Sequence, residues 1–172
     1  MAEAGTGQPF AMEEIRGWSL VQVAGWHDSA AAIEKDIARV CGFPPPAEVG
    51  GVGAAGAISV IRIGPSRIWV VDEVGKVSAH MADAVDHAQG CVTPLGEGRR
   101  RFRLSGERVP DVLRSLVALD LASPSFAPGR AALTMMHRVP VLLHRVASTT
   151  FDLYVPTTFS VSLEEWISET AA

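Results

Sequence analysis

Phe102-Arg103-Leu104-Ser105-Gly106, Leu119-Asp120-Leu121, Phe126-Ala127-Pro128-Gly129-Arg130, Val141-Leu142-Leu143-His144-Arg145 and Phe151-Asp152-Leu153-Tyr154-Val155-Pro156 follow one another in close order between Arg100 and Trp166. Arg101 and Arg103 alternate with Phe102 and Leu104, the period of two expected of a strand with one buried face. Val109-Pro110-Asp111 then opens a helix, because proline is pre-organised for a first helical turn, and its apolar face is Val109, Val112, Leu113, Leu116 and Val117. Residues 124–129 read as a loop. Strands near 131–138, 141–146 and 151–155 precede a helix near 159–169, which is expected to bury Phe159, Leu163, Trp166 and Ile167 on the spacing of a core-facing stripe.

The first half runs through the same order. Residues 15–26 read as a strand, and Asp28 or Ser29 can cap a helix over 29–41 with Ile33, Ile37, Val40 and Cys41 on one face. After a Pro/Gly-rich loop, Ala57 to Ile63 and Arg67 to Val71 read as two strands joined at Gly64-Pro65-Ser66, with a helix over 77–88 behind them. The residues themselves are not visibly repeated, but the order strand, helix, loop, strands, helix occurs twice. The expected fold is α+β, built of two pseudo-repeated strand-helix-strand-strand-helix halves, 13–90 and 91–172, with an interface near Gly90 and a disordered segment over 1–12.

A chain of 172 residues, 48% apolar and 20% charged, has the composition of an ordinary globular protein and can bury a sizeable core. Its net charge of −4 argues against non-specific nucleic-acid binding, which needs a clustered positive surface to replace phosphate counterions. No apolar run approaches the roughly 18 residues of a spanning helix, and Met1 to Met12 lack the basic start and apolar run of a signal peptide. A cytoplasmic protein without a membrane partner is expected. Cys41 and Cys91 show no CxxC spacing and are expected to be buried as small apolar residues in a reducing compartment.

Gly51-Val52-Gly53-Ala54-Ala55-Gly56 spells a literal GxGxxG. A dinucleotide site needs those glycines to leave a strand and open a helix, whereas here Pro44 to Pro46 lie upstream and Ile58-Ser59-Val60-Ile61 downstream, so a flexible loop is expected. His80, Asp83 and His87 fall on about one helical face, and His137 and His144 lie on or beside neighbouring strands. A zinc site wants further ligands at metal spacing, so His80 and His87 read as a solvated stripe, and His137-Arg138 and His144-Arg145 as hydrogen-bonding groups at strand ends or an assembly surface. No catalytic, cofactor-binding or metal residues are expected, and no GxSxG-like nucleophile signature is present. Arg99-Arg100-Arg101 with Arg103 is the one dense positive run. It reads equally as a dock for an acidic surface or phosphate and as a charged strand face that protects a sheet edge.

The spaced blocks between Arg100 and Trp166, with a looser fit at Glu13-Glu14-Ile15-Arg16-Gly17-Trp18, resemble the gamma subunit of heterotetrameric sarcosine oxidase, which looks like a shortened folate-binding aminomethyltransferase. Where many relatives in that superfamily read Asp-Leu-Ser-His, this chain has Thr93-Pro94-Leu95-Gly96-Glu97, and it lacks the Lys-Gly-Cys signature of the folate-dependent iron–sulfur maintenance proteins. The resemblance implies a non-catalytic accessory subunit. Its partners would be the alpha, beta and delta subunits of a complex that oxidises sarcosine to glycine and transfers the one-carbon unit to tetrahydrofolate. It further implies that FAD, FMN, NAD, tetrahydrofolate and zinc belong to those subunits and none to this chain. The alternatives are a stand-alone small folate- or small-molecule-binding module, and an orphan that self-associates. For an accessory subunit the candidate interface is Trp18, Trp26 and Trp69 with Arg99, Arg100, Arg101 and Arg103, residue types that interface centres favour. The competing reading makes the tryptophans core and the arginines a solvated edge.

Overall fold

A computed structural model describes residues 9–26, 28–122, 124 and 126–172. In chain order the strands are β1 (Ala11–Ile15), β2 (Ser19–Gly25), β3 (Val52–Ala55), β4 (Ile58–Gly64), β5 (Arg67–Asp72), β6 (Gly90–Pro94), β7 (Arg99–Ser105), β8 (Arg130–Met136), β9 (Val139–Ala147) and β10 (Thr150–Pro156). The helices are α1 (Ala30–Cys41), α2 (Val77–Ala84), α3 (Val109–Leu116) and α4 (Ser160–Ala171), with a short 3-10 turn over Thr157–Phe159. They divide into two compact units, one of Arg16–Glu97 and one of the described residues up to Ile15 together with Gly98–Ala172.

In the contiguous unit, Val21 and Val23 of β2, Val60 of β4, and Ile68 and Val70 of β5 alternate onto one face of an antiparallel sheet ordered β3-β4-β5-β2-β6. That face is covered by Ile33, Ile37 and Cys41 of α1 and by Val77 and Met81 of α2. Ser29 is the residue before α1 but makes no side-chain capping bond. Helix α2 is started by Asp72 at the end of β5, whose carboxylate accepts the backbone N–H groups of Val74, Lys76 and Val77 at 2.7–2.9 Å. Burial acts to raise that carboxyl, but the converging N–H donors outweigh it and hold it below the usual carboxylate range. Burial, aided by Asp72, pushes the Cys41 thiol up to about 11, consistent with an inert core cysteine. Cys91 is only half-buried, contrary to expectation.

The second unit is ordered β1-β7-β10-β9-β8. Phe102 and Leu104, Val141 and Leu143, and Phe151, Leu153 and Val155 pack beneath α3 and α4 through Val109, Val112, Leu113, Leu116, Leu163 and Ile167. The apolar face expected for α3 is buried in full. The face expected for α4 is not. Phe159 lies in the 3-10 turn before the helix and is 46% exposed, and Trp166 is half-buried at the core's margin.

The two sheets have one topology. Reading β8-β9-β10-β7-β1 against β3-β4-β5-β2-β6 aligns every strand, and the registers agree: Gln22 opposes Trp69 as Arg103 opposes Asp152, and Ile61 opposes Trp69 as His144 opposes Asp152. The repeat is therefore visible in the backbone where it is invisible in the residues. One pair does repeat. Arg62 on β4 and Arg145 on β9 occupy the same place, each followed by a bulge, and each is a buried guanidinium bonded to loop carbonyls. Arg62 donates to Pro46 at 2.5 Å and Pro65 at 3.0 Å, and pairs with Glu34. Arg145 donates to Leu121 at 3.0 Å, Phe126 at 2.7 Å and Ser148 at 2.7 Å.

The boundaries differ from those expected at 13–90 and 91–172. β6 pairs with β2 and completes the first sheet, whereas β1, from the N-terminal end, pairs with β7 and completes the second. Ala11 and Met12 are therefore strand rather than disordered segment, and residues 1–8 lie outside the described residues. The strand read over 15–26 is two strands that belong to different sheets. The glycine-rich run is not a loop: Val52–Ala55 forms the edge strand β3.

Candidate functional site

Arg101 and Arg103 project from one face of β7, as their spacing requires, but that face meets Asp152 on the adjacent β10. Arg103 donates to the carboxylate through Nε at 2.8 Å and Nη2 at 2.9 Å, and Arg101 through Nη2 at 2.6 Å and Nε at 3.2 Å. Arg101 also lies 5.5 Å from the centroid of the Tyr154 ring. Asp152 and Arg101 are almost fully buried, while the Arg103 side chain is 37% exposed. Burial would raise the Asp152 carboxyl; the hydrogen bond from Arg103 and both positive charges outweigh it and hold it below the usual range.

His144 on β9 faces Asp152 from the other side. It is buried, and its Nδ1 has no hydrogen-bond partner among the described residues. Burial is the main influence lowering its pKa; Asp152 opposes the fall and Arg101 and Arg103 add to it. The imidazole is thus kept neutral inside a cluster already carrying net positive charge. At the matching places the sister sheet has Gln22, Ile61 and Trp69, with Trp69 Nε1 donating to Gln22 Oε1 at 3.2 Å. An apolar position in one repeat is ionic in the other.

The expected interface set therefore separates. Arg101 and Trp69 are buried within this chain and cannot present a docking surface. Arg99 and Trp18 are half-buried. Arg100 is exposed and paired with Glu14. Trp26 is 49% exposed, its Nε1 donating to the His87 carbonyl at 2.9 Å. His80, Asp83 and His87 do not form one helical stripe, because α2 stops at Ala84. Among the described residues no group of three or more His, Cys, Asp or Glu side chains could hold a metal ion. Nor does the GxGxxG run open a helix: a Cβ on Gly51 would lie 2.7 Å from Pro46 Cβ, so that glycine admits the proline segment rather than a phosphate.

A groove that the sequence did not reveal lies where the β8–β9 hairpin meets α4. It encloses about 500 Å³ and is lined by His137, Arg138, Val139, Phe159 and Trp166. The His137 ring stands edge-on to Trp166, with centroids 4.4 Å apart. Arg138 is exposed and pairs with no carboxylate among the described residues. The available signal was the pair of aromatics Phe159, just before α4, and Trp166, within it, which helical periodicity assigned to the core.

No family model matches the chain. It is 28% identical over 169 residues to the sarcosine oxidase subunit gamma of an Arthrobacter species, covering 97% of this chain and 82% of the relative. A Corynebacterium sarcosine oxidase subunit gamma is 27% identical over 133 residues, 76% of this chain and 66% of the relative. Among solved structures, a chain of heterotetrameric sarcosine oxidase from a Corynebacterium species, in complex with pyrrole 2-carboxylate, superposes with a TM-score of 0.86 at 23% identity, covering 96% of this chain and 85% of that one. The glycine cleavage system aminomethyltransferase T of Bartonella henselae gives a TM-score of 0.70 at 14% identity, covering 92% of this chain and 45% of that one. The shared fold is that of the aminomethyltransferase, over 45% of that chain's length.

Proposed function

We propose that this chain, a relative of the sarcosine oxidase gamma subunits along nearly its whole length, is the non-catalytic accessory subunit of a heterotetrameric sarcosine oxidase. The complex oxidises sarcosine to glycine and transfers the one-carbon unit to tetrahydrofolate. The alpha, beta and delta subunits are its partners and carry FAD, FMN, NAD, tetrahydrofolate and zinc. The observation that carries this reading is the alignment of 169 residues with a gamma subunit. The chemistry of the chain supports it. The densest cluster of ionisable groups among the described residues is an arginine–aspartate–arginine clamp, in which both guanidinium groups donate to one buried carboxylate of the same sheet, a structural rather than a catalytic arrangement.

The test is made on pure protein. The isolated chain should show no flavin absorbance, release no peroxide from sarcosine and bind no tetrahydrofolate, yet co-purify with the other subunits when expressed with them. Stoichiometric flavin or sarcosine turnover in the isolated chain overturns the reading. Tight folate binding by the isolated chain would favour a stand-alone binding module.

A further inference from the structure

The two sheets share one plan, so a departure of one from the other marks where the chain has been elaborated. The clearest departure is the β8–β9 hairpin. β9 runs for nine residues and β4 for seven, and since the bulged ends coincide at Arg145 and Arg62, the two extra residues lie at the hairpin's tip. There the sister hairpin turns through Gly56 at φ +59°, the inexpensive way to reach the left-handed region. The extended hairpin turns through His137 at φ 51°. A side chain in that conformation is strained, and such strain persists where the surrounding structure imposes it, commonly at binding and catalytic sites. Here the conformation sets the imidazole edge against Trp166 and places Arg138 at the rim of a groove whose other wall is the exposed Phe159.

We infer that this groove between the extended hairpin and α4 is the surface that seats another subunit of the heterotetramer, taking an apolar or aromatic side chain flanked by a carboxylate. The inference rests on the accessory-subunit reading and names its docking surface. Its volume, about 500 Å³, falls in the range of roughly 300–1,000 Å³ over which concave sites enclose a ligand group. Tryptophan and arginine are enriched at interface hot spots, and phenylalanine with them at interfaces generally. The occupant's charge follows from Arg138. A guanidinium without a carboxylate partner among the described residues, on a chain of net charge −4, is complementary to an acidic group that arrives with the apolar anchor.

The experiment co-expresses the tagged full chain with the other three subunits and measures their co-purification. Arg138→Glu and Phe159→Ser should each lower recovery roughly tenfold or more, as loss of a hot spot does. Arg138→Lys should retain part of it, and Val74→Ser, an exposed apolar residue of the other unit, should leave recovery unchanged. Circular dichroism and melting of each lone variant should match the wild type, since the substituted side chains are exposed. Wild-type recovery with both groove variants overturns the inference and leaves the accessory-subunit reading standing. If the wild-type chain recovers no subunit, that reading falls and the inference with it. If sedimentation shows that the lone chain dimerises and that the same two variants abolish dimerisation but not co-purification, the occupant is a second copy, and the inference is overturned.

Discussion

Asp152 accepts four hydrogen bonds from two arginines while almost entirely removed from water, so its contribution is read from what its loss leaves behind. Asp152→Asn removes the one carboxylate to which both guanidinium groups donate. Breaking such a buried ionic cluster costs about 3–5 kcal/mol, although exchanging the whole cluster for apolar residues is often neutral. Urea titration should show the drop as a lower midpoint at constant slope; a loss below about 1 kcal/mol would mean that water reaches the arginines. His144 supplies a pH dependence of definite sign. Its folded pKa lies below that of the free imidazole, so the unfolded chain takes up this proton at about pH 6.5 while the folded chain does not. Unfolding is then coupled to proton uptake, and stability declines as pH falls below about 6.5 until the lower folded pKa is reached. Asp152, also lowered, adds its own loss further into acid. His144→Leu should flatten the stability profile between pH 7 and pH 5.5, because it removes the buried imidazole whose folded pKa is lowered. Equal slopes for the variant and the wild type over that interval would remove His144 as the source.

At the scale of single elements, what the sequence reveals depends on how local the cause is. α1 and α3 were legible because an amphipathic stripe is written within one turn of itself, and β7 was legible because its alternation is period two. β3 and β6 were not. Val-Gly-Ala-Ala and Gly-Cys-Val-Thr-Pro have poor strand propensity, and they are strands only because β4 and β2 offer a ladder to pair with. The arginine face of β7 was correctly oriented but read equally as a dock and as a protected sheet edge, since the aspartate that buries it lies 49 and 51 residues away in sequence. The same limit applies to α4. The spacing of Phe159, Leu163, Trp166 and Ile167 is that of one helical stripe, but the 3-10 turn ends at Phe159 and shifts that ring out of the stripe. Leu163→Ala should therefore destabilise by about 2–5 kcal/mol, as fully buried leucines do. Trp166→Ala should cost only about 1–2 kcal/mol, because a half-buried ring loses roughly half of the transfer contribution. Urea titrations of both variants decide the order; if Trp166→Ala proves the more damaging, the groove wall is part of the core.

Over the whole chain, the consequence of the repeat lies in how each sheet obtains its fifth strand. The unit of Arg16–Glu97 is continuous, and β6 follows directly from the segment it completes. The other unit is not. Its fifth strand, β1, is drawn from the opposite end of the sequence, so β7 receives its partner across more than 80 intervening residues. Closing so long a loop adds an entropic cost that grows slowly with length, and it is met by contacts that β1 and the residue before it make once docked: five register pairs with β7, and Phe10 and Met12 set against the core beneath α3 and α4. Burying a large apolar side chain completely contributes about 1.5–3 kcal/mol, and these two are partly buried, so together they supply about 2–4 kcal/mol. Removing residues 1–15 should lower the stability of the unit containing β7 by that order and leave the edge of β7 unpaired, with a tendency to associate through it. A synthetic peptide of residues 1–15 added in excess should restore the lost stability in proportion to its occupancy. Hydrogen exchange locates the effect: amides of β7 and β10 should exchange faster in the truncated chain, while those of β2 and β5 keep their protection. An unchanged urea midpoint after truncation, or a loss of protection spread evenly over both sheets, would show that β1 does not stabilise the discontinuous unit in this way.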